Sequence, residues 1–386
     1  RMIFSSLEFL GEIPFSDVII HATILDPQGR RMSKSKGTGV DPLEIMDKYG
    51  TDACRYWMAG AGTSAQDVRF REEKIEAYRN FANKLWNASR FVLLKAATGA
   101  APSAPAQLDS PVDRWILSRL ASVIDQVTHD LETYEFATAT QALYEFAWNE
   151  FCDWYIELAK PRLDEGDQAV RWVLKTVLDA LVKLLHPVMP FITEEIHQLL
   201  VERGWAEPAE TLQHTAWPVA QATWRDPAAE REVNLLIETV RTVRNMRAEL
   251  KIEPAKKADE LVLVAAAEDR AALETMAPLI ARMSRSEEVR LVDTAPAIVK
   301  AATGHVGETR VILPLEQFGD VLEKEIVRLQ KETSSLESEL ERVRGQLANE
   351  AFVAKAPAAV VDKLRARNEE IVVQLESARQ QLARWQ

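Results

Sequence analysis

The residues best suited to chemistry lie near the start of the chain, in Arg31-Met-Ser-Lys-Ser-Lys-Gly-Thr-Gly39. Two lysines, two serines and two glycines, with only Met32 to bury, describe a short loop that can close over a polyanion. Lys34 and Lys36 supply charge, while hydroxyls and backbone N–H groups supply donors. A solvated basic turn has the same composition, so the neighbouring elements decide how the loop reads. Before it stands a strand-like run, Asp17-Val-Ile-Ile-His-Ala-Thr-Ile-Leu-Asp26. After it, Asp41 is a good N-cap, Pro42 suits the first helical position and Glu44 completes a capping box. Gly50 closes that helix, and Thr51-Asp52 can open the next one.

The loop resembles the lysine-serine loop of class I aminoacyl-tRNA synthetases, with Arg31 in the first place and the second lysine present as Lys34. Three downstream segments extend the likeness: Asp47-Lys-Tyr-Gly-Thr-Asp-Ala-Cys-Arg-Tyr56, Ala65-Gln-Asp-Val-Arg-Phe70 and Tyr78-Arg-Asn-Phe-Ala-Asn-Lys-Leu-Trp-Asn-Ala-Ser-Arg-Phe91. In that order and spacing they resemble the valyl branch rather than its isoleucyl or leucyl relatives, and the likeness runs from residue 1 to residue 386.

The resemblance implies a reaction of ATP with valine to valyl-adenylate, followed by acyl transfer to tRNA(Val). It makes Lys34 the catalytic residue, set against the charge that develops on departing pyrophosphate, where a preorganised cation favours the transition state. Arg31, Met32, Ser33, Lys34 and Ser35 would form the ATP-binding loop, and Mg²⁺ accompanying ATP would share the charge. No protein-bound metal is implied. His21 reads as a structural residue of the strand, and Asp52 is expected to pair with Arg55 behind the loop. The second ATP element of the family, His-Ile-Gly-His or a variant, is missing, and so is the editing insertion. The expectation is therefore the C-terminal portion of a longer enzyme, unable by itself to activate an amino acid. Two alternatives stand beside it: a freestanding tRNA-binding module without catalysis, and a portion of an isoleucyl enzyme. The isoleucyl type usually ends in a cysteine-rich zinc domain, which this chain lacks.

A length of 386 residues suggests two to four domains, and 47% hydrophobic content is ample for ordinary cores. Cys54 and Cys152 stand far apart with no second ligand nearby, a pattern of neither a disulfide framework nor a zinc site. No apolar run reaches the length of a membrane span, and no signal peptide is evident, so a cytoplasmic protein is expected. The net charge of −12 opposes RNA binding. Yet residues 321–386 carry eleven Lys/Arg against eleven Asp/Glu, so the excess acid lies upstream.

The expected fold is mainly α. Residues 1–71 would form the end of a Rossmann-like class I catalytic domain, and 72–107 a connecting helix with an Ala/Pro linker. Residues 108–257 would form an anticodon-binding helical bundle with short connections. Its Trp148, Trp154, Tyr155 and Phe191 read as core, and His197 stands where the family usually has Trp. A small α+β subdomain is expected over 258–318, with strands at 260–264, 289–292 and 309–313. In 319–386, two heptad seams flank Pro357, with Thr333 and Asn368 their polar positions. They predict an antiparallel coiled-coil hairpin about 40 Å long, resembling the tRNA-binding arm of the valyl enzymes; a dimerisation zipper would show similar heptads. For RNA, Arg241, Arg244, Arg247 and Lys251 fall on one helical face, joined by Arg344 and Lys355 on the arm. A solvated basic face is the competing reading. A monomer is implied by the resemblance.

Overall fold

The computed structural model describes residues 1–33, 37–61, 67–296, 300–348 and 358–385, which fall into two compact units, Arg1–Arg231 and Glu232–Gln386. The first unit opens with α1 (Met2–Leu10) and a long irregular stretch. The strand expected over 17–26 is reduced to β1 (Ile24–Leu25), which pairs in parallel with β2 (Val68–Arg69). Val18, Ile19 and Ile20 are exposed instead. Among the described residues no strand runs beside them to take up their backbone groups, and an extended run without a partner does not become a strand.

Between the two short strands lie α2 (Pro42–Tyr49) and α3 (Thr51–Ala61). Asp41 caps α2 as the sequence predicts, its carboxylate accepting the N–H of Leu43 at 2.9 Å. Ile45, Tyr49, Ala53, Cys54, Trp57, Phe70 and Ile75 form the buried cluster behind the loop. Helix α4 (Glu72–Phe91) then continues through a π-helical turn, Val92–Ala96.

The bundle consists of α5 (Pro111–Glu132), a long helix, α8 (Gln168–Leu185) and α9 (Pro190–Glu202). The long helix runs as α6 (Phe136–Tyr144), a π-helical stretch (Glu145–Tyr155) and α7 (Ile156–Asp164). Helix α8 buries Val170, Val173, Leu174, Val177, Leu178 and Leu181 at alternating steps of three and one, the spacing of one helical face. Asp167 caps it through the N–H groups of Ala169 and Val170. Buried Asp113 accepts the Tyr155 hydroxyl at 3.0 Å and Arg162 Nη1 at 2.8 Å, which joins α5 to the long helix.

Helix α10 (Pro227–Glu249) leads into the second unit. There β3 (Ala258–Val264), α11 (Arg270–Ser284), β4 (Ser286–Val292), β5 (Ala301–Val306) and β6 (Thr309–Pro314) form a sheet of order β4-β3-β6-β5. The β3–β4 pair is parallel and the others are antiparallel. Strand β5 was not expected, because Ala301-Ala-Thr-Gly304 has little strand character. Its place depends on Gly304, where an added Cβ would meet Thr242 Cγ2 of α10 at 2.4 Å. Last come α12 (Gly319–Ala348) and α13 (Ala358–Trp385). Leu336, Leu340, Val343 and Leu347 meet Leu364, Ile371, Val372 and Leu375 in one apolar cluster, as the heptads require. The ion pairs Glu337–Arg379 and Glu339–Arg367 run in opposite senses along the helices, so the two pack antiparallel.

Candidate active-site loop and nucleic-acid surfaces

The loop stands on a tight turn that the sequence did not advertise. The buried Asp26 carboxylate accepts the N–H groups of Gln28 at 3.0 Å and Arg30 at 2.8 Å, and Arg30 Nε at 2.8 Å. These donors, the Arg30 N–H foremost, hold its pKa below the ordinary aspartate value. Gly29, at φ 81°, lies against the Arg69 side chain of β2, where a Cβ would sit 3.0 Å from Nε. The turn is thereby fixed to the strand pair.

Arg31 is exposed and bridges Leu25, while Met32 packs on the cluster around Trp57 and Phe70. Ser33 marks the base of the loop. Its N–H donates to Thr38 Oγ1 at 3.0 Å, its carbonyl accepts the Thr38 N–H at 3.2 Å, and the Thr38 hydroxyl reaches the same carbonyl at 3.4 Å. Ser33 and Thr38 thus pinch the loop shut at its neck. Lys34 and Ser35 lie outside the described residues. His21 is exposed, its Nδ1 2.8 Å from the carbonyl of Ala22.

Asp52 and Arg55 turn to the bundle rather than to each other. Asp52 accepts the N–H groups of Phe191 at 3.3 Å and Ile192 at 2.7 Å, at the start of α9. Arg55 donates to the carbonyls of Pro187 and Val188, each at 3.0 Å. The expected pair is therefore replaced by two links to one turn, because exposed carbonyls and helix N–H groups there offer better-placed partners. Burial pushes the Asp52 carboxyl above its usual range, against these N–H bonds, which favour the charge.

Of the aromatic residues read as core, Trp154 and Tyr155 are buried. Trp148 is half-buried, stacked on Tyr144 with centroids 5.5 Å apart and Lys84 Nζ 3.9 Å above its ring. Phe191 is 65% exposed, a correction: in the first turn of α9 it points away from the helix's buried face. His197 is buried with neither ring nitrogen hydrogen-bonded. Cys54 and Cys152 are free thiols, and burial pushes the Cys152 thiol up to about 12.

The basic face on α10 is divided by the fold. Val240, Val243, Met246 and Leu250 are buried, and Arg241 and Arg244 are exposed. Arg241 Nη1 holds Glu238 at 3.1 Å, and Arg244 Nη2 donates to the Met283 carbonyl at 3.3 Å. Arg247 is only 6% exposed, and Lys251 lies beyond the helix end at φ 53°. On α12, Arg344 is exposed and lines a shallow groove with Glu341, Glu376 and Arg379. Lys355 lies outside the described residues. Among the described residues no cluster of His, Cys, Asp or Glu could hold a metal ion, and no helix is long and apolar enough to cross a membrane.

Three parts of the chain match families of known proteins. Residues 1–71 match the family of class I tRNA synthetases for isoleucine, leucine, methionine and valine, and 113–263 match the anticodon-binding domain of tRNA ligases. The two matches follow one another along the chain, with the pinched loop in the first. Residues 321–386 match the tRNA-binding arm of valyl-tRNA synthetases. The valine–tRNA ligase of Carboxydothermus hydrogenoformans is 44% identical over 369 residues, 95% of this chain and 41% of that protein. Those of Bacillus subtilis and Geobacillus stearothermophilus are 41% and 42% identical over 388 residues, each covering 99% of this chain and 43% of the relative. The chain is homologous to valyl-tRNA synthetases along nearly its whole length, and it spans about two-fifths of the length of the curated relatives it matches.

Proposed function

We propose that this chain serves valine–tRNA ligation, supplying the mobile ATP loop and the tRNA-binding surfaces of the enzyme. The reaction joins valine to ATP as valyl-adenylate and then transfers the acyl group to tRNA(Val). The observation that carries this reading is the alignment with valine–tRNA ligases over 95–99% of the chain, from the loop to the terminal helices.

In the adenylation step, negative charge moves onto the leaving pyrophosphate. The Lys34 ammonium would meet that charge, with Mg²⁺ travelling on ATP as the other cation. Arg31, Ser33 and Ser35 would hold the phosphates, and Met32 would hinge the loop on the Trp57 cluster. The Ser33–Thr38 neck supports this role, since it holds the two ends of the loop together at a fixed place. Arg241, Arg244, Lys251, Arg344 and Lys355 would meet tRNA phosphates, with Arg247 buried beneath Arg244. The protein would work as a cytoplasmic monomer.

The test is equilibrium binding of the full chain to transcripts of tRNA(Val) and tRNA(Ile) at one salt concentration. Severalfold tighter binding of tRNA(Val) is expected. Equal affinity for the two, or none for either, would overturn the reading.

A further inference from the structure

Three non-glycine residues among those described adopt positive φ: Tyr134, Lys251 and Arg285. Arg285, at φ 56° and ψ 46°, is the C-cap of α11. Glycine is the usual residue there, because a Cβ in the left-handed region costs on the order of 1 kcal/mol. An arginine kept at such a position calls for a use of its side chain. The favourable field at a helix C-terminus is one use, but any cation in the last turn would serve it.

Arg285 lines a cavity of about 390 Å³ together with Arg244 and Arg247. No residue of its lining is acidic. Arg244 and Arg285 are exposed at its rim, and Arg247 is buried beneath. Arg247 Nη2 donates to the carbonyls of Glu253 and Lys256, yet Nη1 has no hydrogen-bond partner. A buried arginine can be purely structural, as Arg171 shows. There Nε, Nη1 and Nη2 all reach acceptors: the carbonyls of Ala96, Thr98 and Ala100, and Gln168 Oε1. Arg247 is not satisfied in this way, and a buried charged donor without an acceptor is unfavourable. Burial, and then the charge of Arg285, lowers the Arg247 pKa, as mutual repulsion of two cations requires. Three guanidinium groups about one concavity, one short of an acceptor and one in strained backbone, describe a site that lacks its anion. Ile252, Pro254 and Met283 add an apolar wall.

We propose that this cavity is a phosphate-binding site, with Arg244 and Arg285 clasping the oxygens above Arg247 and the apolar wall lying along a ribose. The proposal rests on the reading of the chain as a tRNA binder and adds Arg285 to it: the phosphate is one of the RNA backbone. A free phosphate ion offers the same oxygens, and the experiment separates the two sources.

Arg285→Gly removes the guanidinium while suiting the left-handed backbone, so the variant is expected to unfold at the same temperature as the parent or higher. Binding of a tRNA(Val) transcript to the full chain is measured across a KCl series for parent and variant. One lost phosphate contact is expected to weaken binding and to reduce the slope of log K against log[salt] by about 0.9. In parallel, the unfolding temperature of each is followed against inorganic phosphate. A reduced slope without phosphate-dependent stabilisation identifies the RNA backbone as the ligand. Stabilisation of the parent by phosphate, lost in Arg285→Gly with the tRNA slope unchanged, identifies a free-phosphate site and overturns the RNA assignment. An unchanged slope with no phosphate effect overturns the site while leaving the tRNA reading intact. A parent that binds no tRNA removes the tRNA reading, and the phosphate arm alone then decides the cavity.

Discussion

Asp52 Oδ2 accepts the backbone N–H of Ile192 at 2.7 Å, a bond between residues 140 positions apart. It joins α3, the second helix after the loop, to the first turn of α9, and Arg55 fastens the same turn from its carbonyl side. The carboxylate acts as an N-cap supplied from another part of the chain. Asp52→Ala is expected to lower stability by about 1–2 kcal/mol, the usual worth of a lost cap. Asp52→Asn, which keeps an acceptor oxygen and sheds the buried charge, should lose less. Denaturant unfolding of the full chain measures both, and an alanine variant as stable as the parent would show that the link contributes nothing.

Lys34→Ala, made in an enzyme that contains the whole catalytic domain, should slow valine-dependent pyrophosphate exchange by about 10²–10³-fold, the scale on which a preorganised charge at a transition state acts. The unfolding midpoint should not move. Near-normal exchange would remove Lys34 from the chemistry.

On the proposed function, Thr38 would be a positioning residue, acting through Ser33 at the neck of the loop. Thr38→Val keeps the shape and loses both hydroxyl bonds, leaving the backbone bond between the two residues. Exchange is expected to fall roughly tenfold, since small misplacements of reacting groups are penalised steeply. Thr38→Ser should recover most of it. A serine variant as slow as valine would point to packing rather than to the hydroxyl.

His197 makes no hydrogen bond at either ring nitrogen, and burial lowers its pKa from the ordinary 6.5. The Asp179 and Glu194 carboxylates pull the other way, while Lys183 and His186 reinforce the lowering. The unfolded chain therefore takes up the proton more readily than the folded one. The stability associated with the neutral ring is present above pH 6.5 and is lost as the pH falls through the folded value. His197→Phe should raise stability by about 1 kcal/mol at neutral pH, since it removes unpaired buried nitrogens. The gain should widen toward pH 5.5. Unfolding midpoints that run parallel for parent and variant from pH 8 to pH 5.5 would exclude His197 as the titrating group.

Much of the fold is legible from local pattern. The Asp41-Pro42 helix start and the apolar seams of the terminal helices depend on residues within a few turns: Asp41 caps α2, and Leu336, Leu340 and Val343 cluster with Leu364, Ile371 and Leu375. The misreadings share one cause. Residues 17–26 have strand composition, yet a strand requires a neighbour, and only Ile24 and Leu25 find one in β2. Strand β5 lacks strand composition and forms because Gly304 lets it lie against Thr242 of α10. Phe191 has the type of a core residue and the position of a surface one.

The chain's own order of residues determined which groups could do chemistry: the Lys-Ser loop, the cationic steps along α10 and the seams of the terminal helices. Residue type and short-range spacing suffice for that, because helical periodicity and charge are local properties. Tertiary structure decided what surrounds them. It buried Arg247 while leaving Arg244 outside, closed the loop through Thr38, turned Asp52 to a helix 140 residues away, and set Arg285 across a cavity from α10. Each of these depends on contacts between segments distant in sequence, whose geometry is fixed by how the helices and the sheet pack.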